Sequence, residues 1–183
     1  MKYVLTLLIL VCFQFSSAQV GDVFPLMEGE SLLYDTVNIP ADLNGKYSLI
    51  ALAFSKKSEE DLGSWFNPMY NQFLTEPDPN AFFKFEYDMH LYIVPMFTGA
   101  KRAAYKSTMK KVQKTVSPEI QPYVLFYKGT LKHYKQSLNF DGNDVPYFYV
   151  LDPEGKIVYN TSGKYTRNKM QEIIDALDPS MKK

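Results

Sequence analysis

The stretch whose reading decides the fold is Val145 to Ile157: Val-Pro-Tyr-Phe-Tyr-Val-Leu-Asp-Pro-Glu-Gly-Lys-Ile. Val145 to Leu151 is almost wholly apolar and aromatic, the composition of a strand. Asp152-Pro153-Glu154-Gly155 is a turn, with proline preset for its second position and glycine closing it. Lys156 to Tyr159 returns as a partner strand. This hairpin gives the fold an antiparallel edge. Downstream, Thr166 can cap a last helix whose Met170, Ile173, Ile174 and Leu177 recur at helical spacing and face a core.

Working backward, Lys46 to Phe54 (KYSLIALAF) is a continuous apolar run between turn signals, as in a strand buried on both faces. A helix follows. Ser58 and Asp61 have capping-box spacing at its start, and Leu62, Trp65, Phe66, Met69 and Phe73 form one apolar face. Pro68 lies inside that pattern and predicts a kink. Phe82 to Phe97 holds the next apolar stretch, with its strand at Leu91 to Met96. Lys101 to Val116 reads as a helix with Tyr105, Met109, Val112 and Val116 inward and lysines outward, stopped by Ser117-Pro118. Tyr123 to Tyr127 reads as a strand and Thr130 to Leu138 as a short helix. Residues 21–45 read as an irregular lead-in rich in turn formers, Asn44-Gly45 among them. Strand, helix, strand, helix, hairpin and helix in that order imply right-handed parallel crossovers plus an antiparallel edge. The class is α/β: a mixed central sheet with helices on both faces.

The first eighteen residues read as a secretory signal peptide: a basic start at Lys2, an apolar run from Val4 to Phe15, and a small-residue exit at Ser16-Ser17-Ala18. The apolar run is shorter than the about 20 residues a spanning helix needs; an uncleaved anchor is the alternative. Cleavage after Ala18 leaves residues 19–183 as one domain with no membrane span, exported to the periplasm or secreted. Cys12, the only cysteine, falls inside the signal. Disulfides, thiolate nucleophiles and cysteine-ligated metals are then excluded from the mature chain. Basic and acidic residues balance at 20 each, so nothing in the net charge points to nucleic acid. His90 and His133, the two histidines, lack the convergent partners a metal site needs. Neither metal nor cofactor is expected.

The motif order resembles the thioredoxin-like fold, a three-layer sandwich. Gly21, Phe24 and Pro25 are similar to the G-x-x-x-P lead-in of exported thioredoxin-like and peroxiredoxin-like proteins. Leu43-Asn44-Gly45-Lys46 is similar to their L-x-G-K approach to the first core strand, and Asp152 to Ile157 to their D-x-x-G-x-I hairpin. Val145-Pro146 falls where that family carries a cis-proline. A narrower resemblance is to the mitochondrial ATP synthase assembly factor family: the phenylalanine-proline lead-in, the segment LAFSKKSEEDLGSW ending at Trp65, and the hairpin from Tyr149 to Ile157. Redox-active thioredoxin-like proteins carry Cys-x-x-Cys at the start of the first long helix, with a proline eight positions after the first cysteine. Counting back from Pro68 places that motif at Glu60 and Gly63, neither of which is cysteine. Glu59, Glu60 and Asp61 satisfy the helix dipole there instead.

The resemblance implies a redox-inactive binding or assembly module of the cell envelope with a protein partner, and no thiol oxidoreductase or peroxidase activity. Its peptide groove would lie between the loop from Ser55 to Trp65 (Ser55, Lys56, Lys57, Ser58, Glu60, Gly63, Trp65) and Val145-Pro146. An open strand edge there would accept an extended segment. Two alternatives stand beside it. One is an enzyme using non-thiol chemistry at the acidic helix turn. The other is a non-catalytic subunit packed on a thiol-active partner. The lysine face from Lys101 to Lys114 and the aromatic segment Phe82 to Tyr87 are further candidate contact surfaces, and Asn160-Thr161-Ser162 has the form of a glycosylation sequon.

Overall fold

A computed structural model describes residues 20–75, 87–140 and 144–177. The elements are β1 (Met27–Ser31), β2 (Thr36–Ile39), β3 (Tyr47–Ala53), α1 (Lys56–Met69), β4 (Met89–Thr98), α2 (Tyr105–Thr115), β5 (Leu125–Gly129), α3 (Lys132–Ser137), β6 (Tyr147–Leu151), β7 (Ile157–Ser162) and α4 (Arg167–Leu177). The seven strands form one mixed sheet in the order β2-β1-β5-β4-β3-β6-β7. β3, β4 and β5 run parallel, and β6 pairs antiparallel with β3.

The apolar run of β3 is buried on both sides, as its composition requires. Leu49, Ala51 and Ala53 face α1 and α4. Ile50 and Leu52 face the opposite layer, where Tyr134 of α3 and Leu138 pack. The crossovers β3-α1-β4 and β4-α2-β5 step the same way across the sheet. A right-handed path therefore lays α1 and α2 side by side on one face.

Residues 21–45 differ from their reading as an irregular lead-in. They hold the β1–β2 hairpin, with Met27 opposite Ile39 and both buried. Its turn is built by a side chain: Ser31 Oγ accepts the amides of Leu33 and Asp35, both at 3.1 Å. Tyr34 takes a left-handed φ of 68°. Strands this short, with glutamates between their apolar positions, leave little periodicity to read.

β2 is an edge strand, and a carboxylate blunts it. Asp42 accepts from the Asn38 amide at 2.7 Å and from the Asn38 side chain at 3.2 Å. Exposed strand amides otherwise recruit other strands. Asp42→Ala is expected to cost about 1–2 kcal/mol by removing these two hydrogen bonds to a carboxylate and, by freeing the edge amide, to raise self-association. Thermal melts and light scattering of the purified variant check both effects, and a variant that melts and scatters like the parent would remove this role for Asp42.

Several tyrosines hold their protons tightly. Burial, then the hydrogen bond to the Glu172 carboxylate, pushes Tyr159 from 10.0 up to about 12. Burial also raises Tyr134, followed by its neighbour Tyr127. In Tyr105 burial acts first and the hydrogen bond to Glu30 next. A raised phenol favours the unfolded chain once that chain can ionise and the native one cannot. The stability these tyrosines contribute is full below pH 10.0 and is lost as pH rises through their folded values. Alkaline titration is expected to show the part of the phenolate absorbance that belongs to Tyr105, Tyr134 and Tyr159 rising together with the loss of circular dichroism. Phenolate absorbance that runs to completion with the fold intact would contradict this.

A candidate binding site at the start of the first long helix

Ser55, not Ser58, caps α1, so the helix begins three residues before its expected start. Ser55 Oγ accepts the Ser58 amide at 3.0 Å, and Ser58 Oγ accepts the Ser55 amide at 2.9 Å and the Phe54 amide at 3.0 Å. This is a capping box in which a serine does the work usually given to Glu or Gln; a search for the longer side chain misses it. The two hydroxyls are 3.2 Å apart. The pair at the N-cap and third helical positions is therefore Ser55-x-x-Ser58, and Glu60 and Gly63, reached by counting back from Pro68, lie further along α1. The helix runs straight through Pro68. The Tyr70 amide bonds the carbonyls of both Phe66 and Asn67, and the helix widens into a π-turn over Tyr70–Leu74.

The Ser55 hydroxyl also donates to the Asp144 carboxylate, joining the helix cap to the loop before β6. Gly163 makes the second connection. Its amide donates to the Pro146 carbonyl at 2.8 Å, and its carbonyl accepts the Trp65 indole N–H at 2.8 Å. Pro146 is buried and Val145 half-buried. The open edge expected at 144–146 is closed by the chain itself at these groups. Val145–Pro146 is not cis; the cis bond among the described residues is Ile39–Pro40. Trp65 is 0% exposed, packed 4.1 Å from the Phe148 ring and 5.4 Å from Tyr165. It is the floor under the site and does not reach its surface.

The surface is made by Lys56, Lys57, Glu60 and Gly63, all exposed, with Ser55 at its edge and Ser58 buried beneath. Phe66, read as core, is 41% exposed. The acidic turn does not converge on one point. Glu59 pairs with Lys101 at 3.2 Å, Glu60 with Lys56 at 3.8 Å and Asp61 with Lys164 at 3.5 Å. Three carboxylates with three separate lysines do not form an acid–base pair. His90 Nε2 lies 3.1 Å from the Leu43 carbonyl, and its ring stacks on Tyr92; His133 is on the surface beside Ser137. Among the described residues no three acidic, histidine or cysteine side chains gather as metal ligands, and no helix is long and apolar enough to cross a membrane. The signal segment and residues Phe82 to Glu86 lie outside the described residues.

Solved structures similar to this one are thioredoxin-like. A member of the Sco family of cytochrome c oxidase assembly proteins, BsSco, superposes with a TM-score of 0.56 at 13% identity, covering 93% of this chain and 100% of its own. The C-terminal domain of a protein assigned as a thiol-disulfide oxidoreductase from Bacteroides thetaiotaomicron gives 0.54 at 13%, covering 88% and 98%. A thiol:disulfide interchange protein from a Bacteroides species gives 0.51 at 19%, covering 92% and 95%. At these identities the likeness establishes the fold alone. No curated protein matches the chain. The ATP10 protein family matches over residues 14–178, in keeping with the lead-in, the segment ending at Trp65 and the hairpin. The chain is thioredoxin-like in fold and belongs to the ATP10 protein family.

Proposed function

We propose that this protein is a redox-inactive thioredoxin-like module that binds a protein partner during assembly of a cell-envelope complex, on the periplasmic or outer side of the membrane. The observation that carries the reading is the start of α1. Where thiol-active members of the fold place Cys-x-x-Cys, this chain has Ser55-x-x-Ser58, with both hydroxyls spent on capping amides and on Asp144. A serine pair held this way cannot cycle electrons, so what remains of the site is its shape and its charged rim. Membership of the ATP10 family supports an assembly role. The export reading rests on the basic, apolar and small-residue succession of residues 1–18.

Affinity capture from the envelope fraction of the source organism tests the proposal. The intact chain serves as bait, beside a variant with Lys56→Glu and Lys57→Glu. Both lysines are exposed, so the variant keeps its fold. A partner held by the parent and lost by the variant supports a binding module working through the α1 rim. Repeated captures with no specific partner would overturn the proposal. A captured partner carrying its own cysteine pair would identify the protein as the non-catalytic half of a thiol system.

A further inference from the structure

α1 and α2 lie side by side on one face of the sheet, and between them runs an open apolar cleft of about 260 Å³. Leu62, Phe66 and Met69 form one wall, Val112 and Val116 the other, over a floor that includes Phe97. Glu59 and its partner Lys101 close one end. From Glu59 to Met69 the wall spans about 15 Å at the helical rise, room for roughly three turns of a second helix.

Two features of α1 leave room for an occupant of this cleft. Gly63 sits inside the helix, where glycine is disfavoured relative to alanine. Nothing lies within 4 Å of where its Cβ would stand, so the free chain has no packing reason for the missing side chain. Close approach of another backbone does require it. Phe66, beside it, leaves 41% of its surface exposed, and no other exposed large apolar residue among those described lies beyond Tyr34.

The opposite wall supplies the sign of the occupant. Between Gly99 and Val116 there are six basic residues (Lys101, Arg102, Lys106, Lys110, Lys111 and Lys114) and no acidic one. Of these six only Lys101 has an ion-pair partner among the described residues, and Lys106 and Lys110 stand away from the cleft, lining hollows with Glu30. Lys111 follows Thr108, a cleft residue, by three positions and so stands on the same side of α2. An apolar trough bordered on α2 by Lys111 and, three positions on, Lys114, neither with an ion-pair partner among the described residues, is complementary to an amphipathic helix with a bulky aliphatic face and an acidic flank. A concave trough suits a helix better than a flat bilayer.

We infer that the α1–α2 cleft is a docking site for an acidic amphipathic helix of a partner protein, with the helix backbone passing over Gly63. The inference takes from the proposed function only that the partner is a protein. If envelope capture yields a partner indifferent to Gly63→Leu, the assembly reading stands and the cleft assignment falls.

The test uses the intact chain and two fluorescent peptides of about 18 residues, or five helical turns. Both carry leucine and alanine on one face; one has glutamate on the other face and the second has lysine there. Fluorescence anisotropy is expected to show the glutamate peptide binding about tenfold more tightly than the lysine peptide, with the difference shrinking as salt is raised. Gly63→Leu fills the trough and is expected to weaken binding about tenfold without lowering the melting temperature. Lys111→Glu with Lys114→Glu is expected to reverse the preference between the peptides. Equal binding of the two peptides, binding of neither, or indifference to Gly63→Leu would overturn the inference. So would tight binding to phosphatidylglycerol vesicles that is lost on charge reversal and unaffected by Gly63→Leu, which would make the lysine bank a membrane surface.

Discussion

Replacing Trp65 by alanine is expected to cost about 3–5 kcal/mol of stability, the range for removing a buried aromatic side chain from a packed core. Domains of this size hold about 5–15 kcal/mol in all, so the variant stands near the edge of unfolding. Three losses combine. A fully buried ring leaves a cavity against Phe148 and Tyr165. The carbonyl of Gly163 loses its indole donor. The amide of the same glycine holds Pro146, so the loop before β6 loosens as well. Trp65→Phe keeps most of the ring and is expected to cost about 1–3 kcal/mol, the penalty for an unpaired buried carbonyl plus a small void. Urea unfolding followed by far-ultraviolet circular dichroism gives both values; fluorescence cannot, because Trp65 is the only tryptophan. An alanine variant within about 1 kcal/mol of the parent would mean that the core closes over the gap.

The other large effect is a gain. Ser55→Cys with Ser58→Cys, in a chain carrying Cys12→Ser to remove its own thiol, is expected to create a working dithiol. The two oxygens are already 3.2 Å apart at a helix N-terminus. A disulfide needs about 2.0 Å between sulfurs, so the pair must close by only about 1 Å. Oxidised glutathione is expected to convert the variant to a form that resists alkylation and has lost two hydrogens by mass. With a reductant supplied, the variant should reduce insulin disulfides where the parent does not. The helix dipole favours a thiolate at position 55, and the Asp144 carboxylate opposes it. Adding Asp144→Asn is therefore expected to speed the reaction at neutral pH. A dithiol that stays reduced in excess oxidant would show that these serines do not hold the geometry of a redox pair, and the comparison with thiol-active relatives would lose its meaning at this site.

Much of this was legible in the chain. The run KYSLIALAF could only be a strand covered on both sides, and β3 is buried along nearly its whole length. The turn Asp152-Pro153-Glu154-Gly155 named its own geometry, and Gly155 closes it with a φ of 78°. The helix of Lys101 to Val116 showed itself by period. What stayed hidden depended on contacts distant in sequence or on short side chains. Ser55 looked like a loop serine until its reciprocal bonds with Ser58 placed it at the cap. Trp65 stood next to a predicted groove in sequence; the register of β7 puts the Gly163 carbonyl where the indole needs it, and turns the ring inward. The β1–β2 hairpin was masked because its turn is closed by the Ser31 hydroxyl, not by a glycine pair. The cleft between α1 and α2 follows from the handedness of two successive crossovers, a property of the path that no single segment carries.

The two ends of the sheet are unequal, and that sets a valence. At β2 the Asp42 carboxylate occupies the outward amide of Asn38. At β7 the N-terminal arm covers only Ile157, and Lys169 takes the Ser162 carbonyl. The span between them, Val158 to Thr161, pairs with β6 on its inner side and has no strand on its outer side among the described residues. A unit with one usable edge can join one other unit and then stops, whereas a growing filament needs two. Crowding this protein should therefore produce pairs that end themselves, and polymers only once Asp42 is gone.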